Sequence, residues 1–196
     1  MTVRDLVLYP DPLLQARCRP VEAITAEVRQ LIDDMVETMY DAPGVGLAAP
    51  QVGSDLRIVV MDCSDKEAPA ELRVLINPEI VARRGELVWE EGCLSIPGVY
   101  DKVTRAAQIR VRALDREGKP IEFEAEELLS VCVQHELDHL NGVLFLDHLS
   151  RLKRRIAERA FKKNLPTWHK EQEEKRRKRE AGEAPSPPPA DLEERL

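Results

Sequence analysis

Two histidines four residues apart, in His135-Glu136-Leu137-Asp138-His139, constrain this chain more than any other feature. Residues i and i+4 share one face of an α-helix, so both imidazoles can reach a single ion. Val131, Cys132, Val133, Leu137 and Leu140 surround the pair with apolar side chains. A helix flanked in this way is buried, and buried imidazoles need partners. Glu136 directly follows the first histidine and points near the same place. In such sites a glutamate accepts a proton from activated water and passes it on. The competing reading, two surface histidines beside a chance glutamate, does not account for the apolar flanks.

The surrounding pattern places this helix at about 126–141, with Gly142 just past its end. An earlier helix is expected over 25–40, where Val28, Leu31, Ile32, Met35, Val36, Met39 and Tyr40 fall on one face. Thr25 suits its N-cap, and Pro43-Gly44 stops it. Strands are expected near 57–62, 73–76, 79–89 and 104–114. Asp115-Arg116-Glu117-Gly118 reads as a turn joining 108–113 to 120–124 in a hairpin. A last helix runs over about 149–163, with Ser150 as a cap. Short strands with few helices, and no regular β-α alternation, indicate an α+β domain.

Charge divides the chain. Residues 1–150 carry 15 basic and 27 acidic side chains, net −12, whereas 151–180 carry 13 and 5, net +8. The whole chain of 196 residues sums to −7, which argues against a general nucleic-acid binder. The boundary expected is a domain over 1–165 and a charged, then proline-rich tail over 166–196, extended or disordered. For its KEQEEKRRKRE portion a solvated helix extension is the alternative. Apolar runs reach only four residues, as in Ile58–Met61, far short of the roughly 20 a membrane span needs. The N-terminus lacks a signal-peptide layout, so a cytoplasmic location is expected.

Two histidines do not complete a catalytic metal site, which commonly uses three protein ligands and keeps one position open. Cys18, Cys63, Cys93, Cys132, His148, His169 and carboxylates are the candidates. Cys18 and Cys63 have no companion ligands nearby and suit core packing, and Cys132 suits packing at least as well as ligation. Cys93 lies in Glu91-Gly92-Cys93-Leu94-Ser95-Ile96-Pro97-Gly98, where Gly and Pro fix a turn. A third segment, Gly44-Val45-Gly46-Leu47-Ala48-Ala49-Pro50-Gln51, is small and apolar, which suits close backbone approach to an extended ligand. Its lone polar side chain, Gln51, is either a satisfied loop amide or an oxyanion donor.

GVGLAAPQ, EGCLS and QHELDH, in that order and at these distances, resemble the three signature motifs of the peptide deformylases over roughly residues 3–160. The resemblance implies a fold of mostly antiparallel sheets packed around the central helix that carries the HExxH motif, with a C-terminal helix. It implies removal of the N-formyl group from N-formylmethionyl nascent peptides, with release of formate. By position, Cys93, His135 and His139 would hold the metal and Glu136 would be the general acid/base. Gln51 and the Leu94 backbone N–H would form the oxyanion hole, and the Gly46 backbone would hold the substrate as an added strand. The methionine pocket would involve Val45, Trp89, Leu128, Val131 and Cys132, with Gly44 and Glu91 at its edge. The metal implied is Fe2+ in the cell, with Zn2+, Ni2+ or Co2+ possible in a purified sample. The basic segment after residue 150 fits either contact with the ribosome near the exit tunnel or a merely solvated helix.

Two positions stand apart from the family pattern. Many relatives have an arginine where this chain has Tyr100, whereas Arg105 matches a common family position and is expected either to pair with Asp138 or a neighbouring loop acid, or to be a surface strand residue. Two other readings compete. A zinc protease of the HExxH type would need a downstream third ligand, and Asp147 and His148 are too close for it. A ribosome-associated module with a non-catalytic metal would need neither Glu136 nor Gln51.

Overall fold

The computed structural model describes residues 2–42, 44–64 and 68–181. Helix α1 spans Ala26–Asp41 and is capped by Thr25, whose hydroxyl accepts from the Val28 N–H. Strands β1 (Gly46–Ala48) and β2 (Ile58–Met61) come after it. Next are β3 (Arg73–Arg84), β4 (Leu87–Glu91) and β5 (Asp101–Arg105). The hairpin β6 (Gln108–Leu114) and β7 (Pro120–Glu126) leads into α2 (Glu127–Leu140), and α3 (Arg151–Glu180) closes the described chain. The expected stop at Pro43 falls on a residue outside the described set, as does the proline-rich stretch after 181.

The fold is α+β with antiparallel pairing between all strands. A five-stranded sheet runs in the order β1-β2-β3-β6-β7, and β4 pairs with β5 in a second, two-stranded sheet. Strand β2 is buried along its whole length because both faces are covered. Ile58 and Val60 pack with Met35 and Met39 of α1, whereas Val59 and Met61 pack with Cys132 and Val133 of α2. A third apolar cluster joins Ile96, Val103, Phe145 and Phe161 beneath the start of α3. The sequence thus yields two helix-on-sheet layers, and α2 is the inner one.

Three boundaries differ from the sequence expectation. The strands expected at 73–76 and 79–89 are one strand as far as Arg84, with a register shift between Ile76 and Glu79 beside Asn77 at φ 52°. The single strand expected over 104–114 is two strands in two different sheets. Gln134 of α2 makes the break: its amide bonds both the N–H and the C=O of Ala106 at 3.0 Å, replacing the ladder there.

The last helix also runs past the boundary expected at 165, so 166–180 is helix rather than extended chain. Pro166 removes one N–H from the helical ladder, but ion pairs one turn apart support the turns beyond it. Glu173–Arg177 is 2.6 Å and Glu174–Lys178 is 3.0 Å. Arg179 reaches Asp41 at the end of α1, at 3.3 Å. Gly142 is a close-approach position: its φ is +74°, and a Cβ there would meet the Gln15 carbonyl oxygen at 2.5 Å. It lets the chain leave α2 tightly against the N-terminal segment.

Candidate metal centre

Helix α2 presents His135 and His139 from successive turns, and the turn after β4 presents Cys93 to them. The Ile96 N–H donates to the Cys93 carbonyl at 2.9 Å and closes that turn. Among the described residues, Cys93, His135 and His139 bring three donor atoms within 4.8 Å of one another. Cys93 Sγ lies 3.2 Å from His139 Nε2. A thiolate and an imidazole on one zinc-sized ion sit roughly 3.5 Å apart, so this spacing fits a shared ion. Burial alone would raise the Cys93 thiol. The two imidazoles outweigh it and bring the thiol down to about 5, which favours the thiolate that a metal requires.

The fit of a metal rests on more than proximity. Glu136 Oε2 and His139 Nδ1 are buried without a hydrogen-bond partner among the described residues. Buried polar atoms seldom stay unpartnered in a native fold. One thiolate and two imidazoles suit Fe2+, Zn2+, Ni2+ and Co2+, so a single divalent ion matches the donor set. Burial, first of all, pushes the Glu136 carboxyl above the usual carboxylate range against the pull of both imidazoles. A base tuned upward is nearer the pH at which it must both take and give a proton.

The histidine ring is held from behind. Glu91, expected at the edge of a pocket, is completely buried and its Oε2 lies 2.8 Å from His135 Nδ1. That contact leaves Nε2 as the ring's free ligand atom. Arg105 grips the same carboxylate with two bonds, Nε to Oε1 at 2.6 Å and a terminal nitrogen to Oε2 at 2.8 Å. Burial would raise Glu91, but Arg105 and His135 overcome it and hold its carboxyl at about 2. Arg105 also meets Asp138 at 2.5 Å, as expected, and His148 completes the chain with a 2.7 Å contact to Asp138. Of the alternatives the sequence left open for Arg105, the pairing with Asp138 is the one observed, but Arg105 is buried and bonds Glu91 twice, which sequence reasoning missed. Partners on separate strands leave no local signal.

Gln51 lies in a short 3-10 turn after β1. Its Oε1 accepts from the Ala48 N–H at 2.8 Å, which fixes the amide's direction. Its Nε2 then faces Cys93 Sγ at 3.6 Å and Ser95 Oγ at 3.3 Å. Ser95 is a second partner that sequence reasoning missed. The Leu94 N–H has no hydrogen-bond partner among the described residues and lies in the same turn as Cys93.

Gly46 is the closest approach of β1 to α2. A Cβ there would lie 2.6 Å from Glu136 Oε1 and 2.8 Å from Cys132 Sγ, so any side chain would force one of these groups or the strand to shift. Gly44 packs under Leu94, and Val45 offers its carbonyl to the Cys132 thiol at 3.7 Å. Val131 and Cys132 are fully buried, whereas Trp89 and Leu128 are half-buried. Strand β1 is an edge: β2 covers one side of it, and no strand covers the other among the described residues.

Comparison with known proteins agrees with this geometry. The polypeptide deformylase family model matches residues 3–155. A peptide deformylase of Hydrogenovibrio crunogenus is 58% identical over 162 residues, covering 82% of this chain and 94% of that protein. One from Alkalilimnicola ehrlichii is 56% identical over 163 residues, 83% of this chain and 91% of its own. The crystal structure of a peptide deformylase from Legionella pneumophila superposes with a TM-score of 0.81 at 50% identity, covering 86% of this chain and 98% of that one. The chain therefore belongs to the bacterial-type peptide deformylases, metal-dependent hydrolases that remove N-terminal formyl groups.

Proposed function

We propose that this deformylase acts on N-formylmethionyl nascent peptides in the cytoplasm, with Cys93, His135 and His139 holding Fe2+. The observation that carries the assignment is the meeting of four groups: the three ligands, the unpartnered Glu136 carboxylate beside two of them on α2, the Gln51 amide and the unpaired edge of β1. A divalent ion held there supplies Lewis acidity, which lowers the pKa of water from near 16 to about 7.

Each remaining role belongs to a named atom. Glu136 Oε2 takes the proton from the attacking water. As the formyl carbon becomes tetrahedral, Gln51 Nε2 and the Leu94 N–H donate to the developing oxyanion. Donors of this kind are worth about 2.7–4 kcal/mol each in transition-state stabilisation. Glu136 then passes its proton to the departing amine. The substrate backbone pairs with the open edge of β1 at Gly46, where the missing side chain lets it approach Glu136. Its methionine side chain fills a pocket made by Val45, Trp89, Leu128, Val131 and Cys132 beside Gly44. Glu91 orients His135 rather than touching substrate.

Residues 1–165 form the catalytic unit, and the basic outer part of α3 is an appended segment that contacts the ribosome near the exit tunnel. Lys175, Arg176, Arg177, Lys178 and Arg179 supply its charge. Phosphate pairing of this kind weakens steeply with salt. Supplying formyl-Met-Ala-Ser and measuring formate, beside metal analysis of the same sample, tests the central reading. Metal-loaded protein that releases no formate from this peptide overturns the substrate assignment. Truncation after Pro166 should reduce cosedimentation with ribosomes at low salt, and unchanged cosedimentation removes that contact.

A further inference from the structure

The short 3-10 turn Phe145–His148, which follows α2, reaches His135 by two routes. The first is direct. Phe145 is buried, and its ring stacks on the His135 imidazole with centroids 6.4 Å apart and planes 23° from parallel. Stacking limits the tilt of the ligand ring, and the bond at Nδ1 sets where Nε2 points. The second route starts at the far end of the turn. His148 Nε2 lies 2.7 Å from Asp138 Oδ2 and 3.3 Å from a terminal nitrogen of Arg105. An ionised carboxylate only accepts hydrogen bonds and a guanidinium only donates them. A bare ring nitrogen at 2.7 Å from the carboxylate would set lone pair against lone pair, so Nε2 carries the proton and donates to Asp138. The same Oδ2 also accepts from Arg105 at 2.5 Å. Glu91 takes the other edge of that guanidinium, at 2.6 and 2.8 Å, and holds His135 Nδ1 at 2.8 Å.

We propose that His148 is a positioning residue for the metal centre: its Nε2 proton fixes Asp138, and through Arg105 and Glu91 it fixes the direction of the His135 ligand atom. A guanidinium is planar and rigid, so the place of its Glu91 edge follows from the place of the nitrogen that Asp138 holds. Every link in the series involves a charged group, which makes each one stronger than a bond between neutral partners.

The surroundings keep the series intact. Arg105 has only 4% of its side chain exposed, so water does not compete for its donors. His148 is held beside Asp138 by its turn as well as by its own bond. Asp147 Oδ2 accepts from the Leu144 N–H at 2.9 Å, and Oδ1 meets Arg154 of α3 at 2.5 Å. The inference rests on His135 being a ligand and is separate from the substrate assignment.

The test uses the full-length protein loaded with Co2+, an ion that suits this donor set and whose visible absorption reports the geometry of its ligands. His148→Phe keeps a ring but has no proton to donate. His148→Gln loses the ring but carries an amide N–H at a similar reach. Competition with a chelator should show Co2+ held about 10-fold more weakly in His148→Phe, the low end of what loss of support behind a ligating histidine brings. Its visible bands should shift, and kcat for formyl-Met-Ala-Ser should fall with KM unchanged. His148→Gln should restore the affinity, the bands and kcat. Unchanged affinity and bands in His148→Phe overturn the proposal, even if its denaturation midpoint falls. An equal loss in His148→Gln also overturns it, because the bulk of the ring and not its proton would then be acting. Wild-type protein that binds no Co2+ overturns the ligand set and this inference with it. Affinity and bands are read without turnover, so the outcome is independent of which peptide the enzyme accepts.

Discussion

Helices α2 and α3 contrast in how they are held. In α2 the buried residues include five that are polar or ionisable: Ser130, Gln134, His135, Glu136 and His139. In α3 only Ala157 and Phe161 of thirty residues are buried. The inner helix is stabilised by its surroundings: Ser130, Gln134 and His135 bond to neighbouring groups, whereas Glu136 Oε2 and His139 Nδ1 are left unpartnered at the centre among the described residues. The outer one relies on charge pairs along its own surface. Substitutions should therefore act through chemistry and packing in α2, and only weakly in α3. Glu136→Gln gives the largest expected effect. Its turnover should drop about 10²–10⁴-fold while metal content stays at wild-type level. Retained turnover would break the contrast at its centre.

Next in size is a change behind the ring. Glu91→Ala leaves the Arg105 guanidinium buried, with 4% of its side chain exposed, and removes the partner of His135 Nδ1. Stripping one member from a buried pair costs about 3–5 kcal/mol. Loss of the group behind a ligating histidine typically lowers metal affinity about 10–100-fold. Chemical denaturation and competition with a metal chelator would measure the two effects separately. Unchanged metal affinity would confine Glu91 to a structural role.

Gly46→Ala sharpens the picture from the other side of the cleft. The new methyl meets Glu136 Oε1 at 2.6 Å and Cys132 Sγ at 2.8 Å, so the carboxylate or the strand must shift. A displacement near 1 Å at a reacting group costs about 10²-fold in rate. Steady-state kinetics should show that loss in kcat with metal still bound. A normal kcat would mean that β1 and α2 separate more easily than this packing implies.

Legibility in the sequence divides along the same line. The His135–His139 face, Thr25 and Ser150 as caps, and the β6–β7 hairpin are local patterns, and each appears where spacing and propensity put it. The meeting of Cys93 with His135 was legible only through resemblance, because strand and helix are brought together by the sheets between them. The Glu91–Arg105 pairing was missed for that reason: Arg105 lies opposite Leu87 and Glu91 opposite Asp101, so the two side chains meet diagonally between strands, and nothing in either segment marks the partner. Residues 166–180 failed differently. Pro166 and dense charge suggest an end, yet the paired spacing of Glu173, Glu174, Arg177 and Lys178 supports a helix.

The smallest effect belongs to the outer helix. Glu158 of α3 accepts from Arg154 at 3.1 Å and from the Tyr9 hydroxyl at 3.0 Å. The Arg154 hydrogen bond, and then that of Tyr9, hold the Glu158 carboxyl below the usual range. A folded-state pKa below the unfolded value of about 4.3 stabilises the fold above that pH. The contribution is lost as pH falls through the lowered folded value. With 38% of Arg154 and 30% of Glu158 exposed, water screens the pair, and about 0.2–1 kcal/mol is expected. Glu158→Gln should therefore be slightly less stable than the wild type at neutral pH, with the difference closing in acid, as followed by denaturation midpoints. Turnover of the small formyl peptide should stay at the wild-type level, since this carboxylate anchors α3 to the N-terminal segment. A large loss of turnover would mean that this anchor shapes the metal centre and would dissolve the contrast between the two helices.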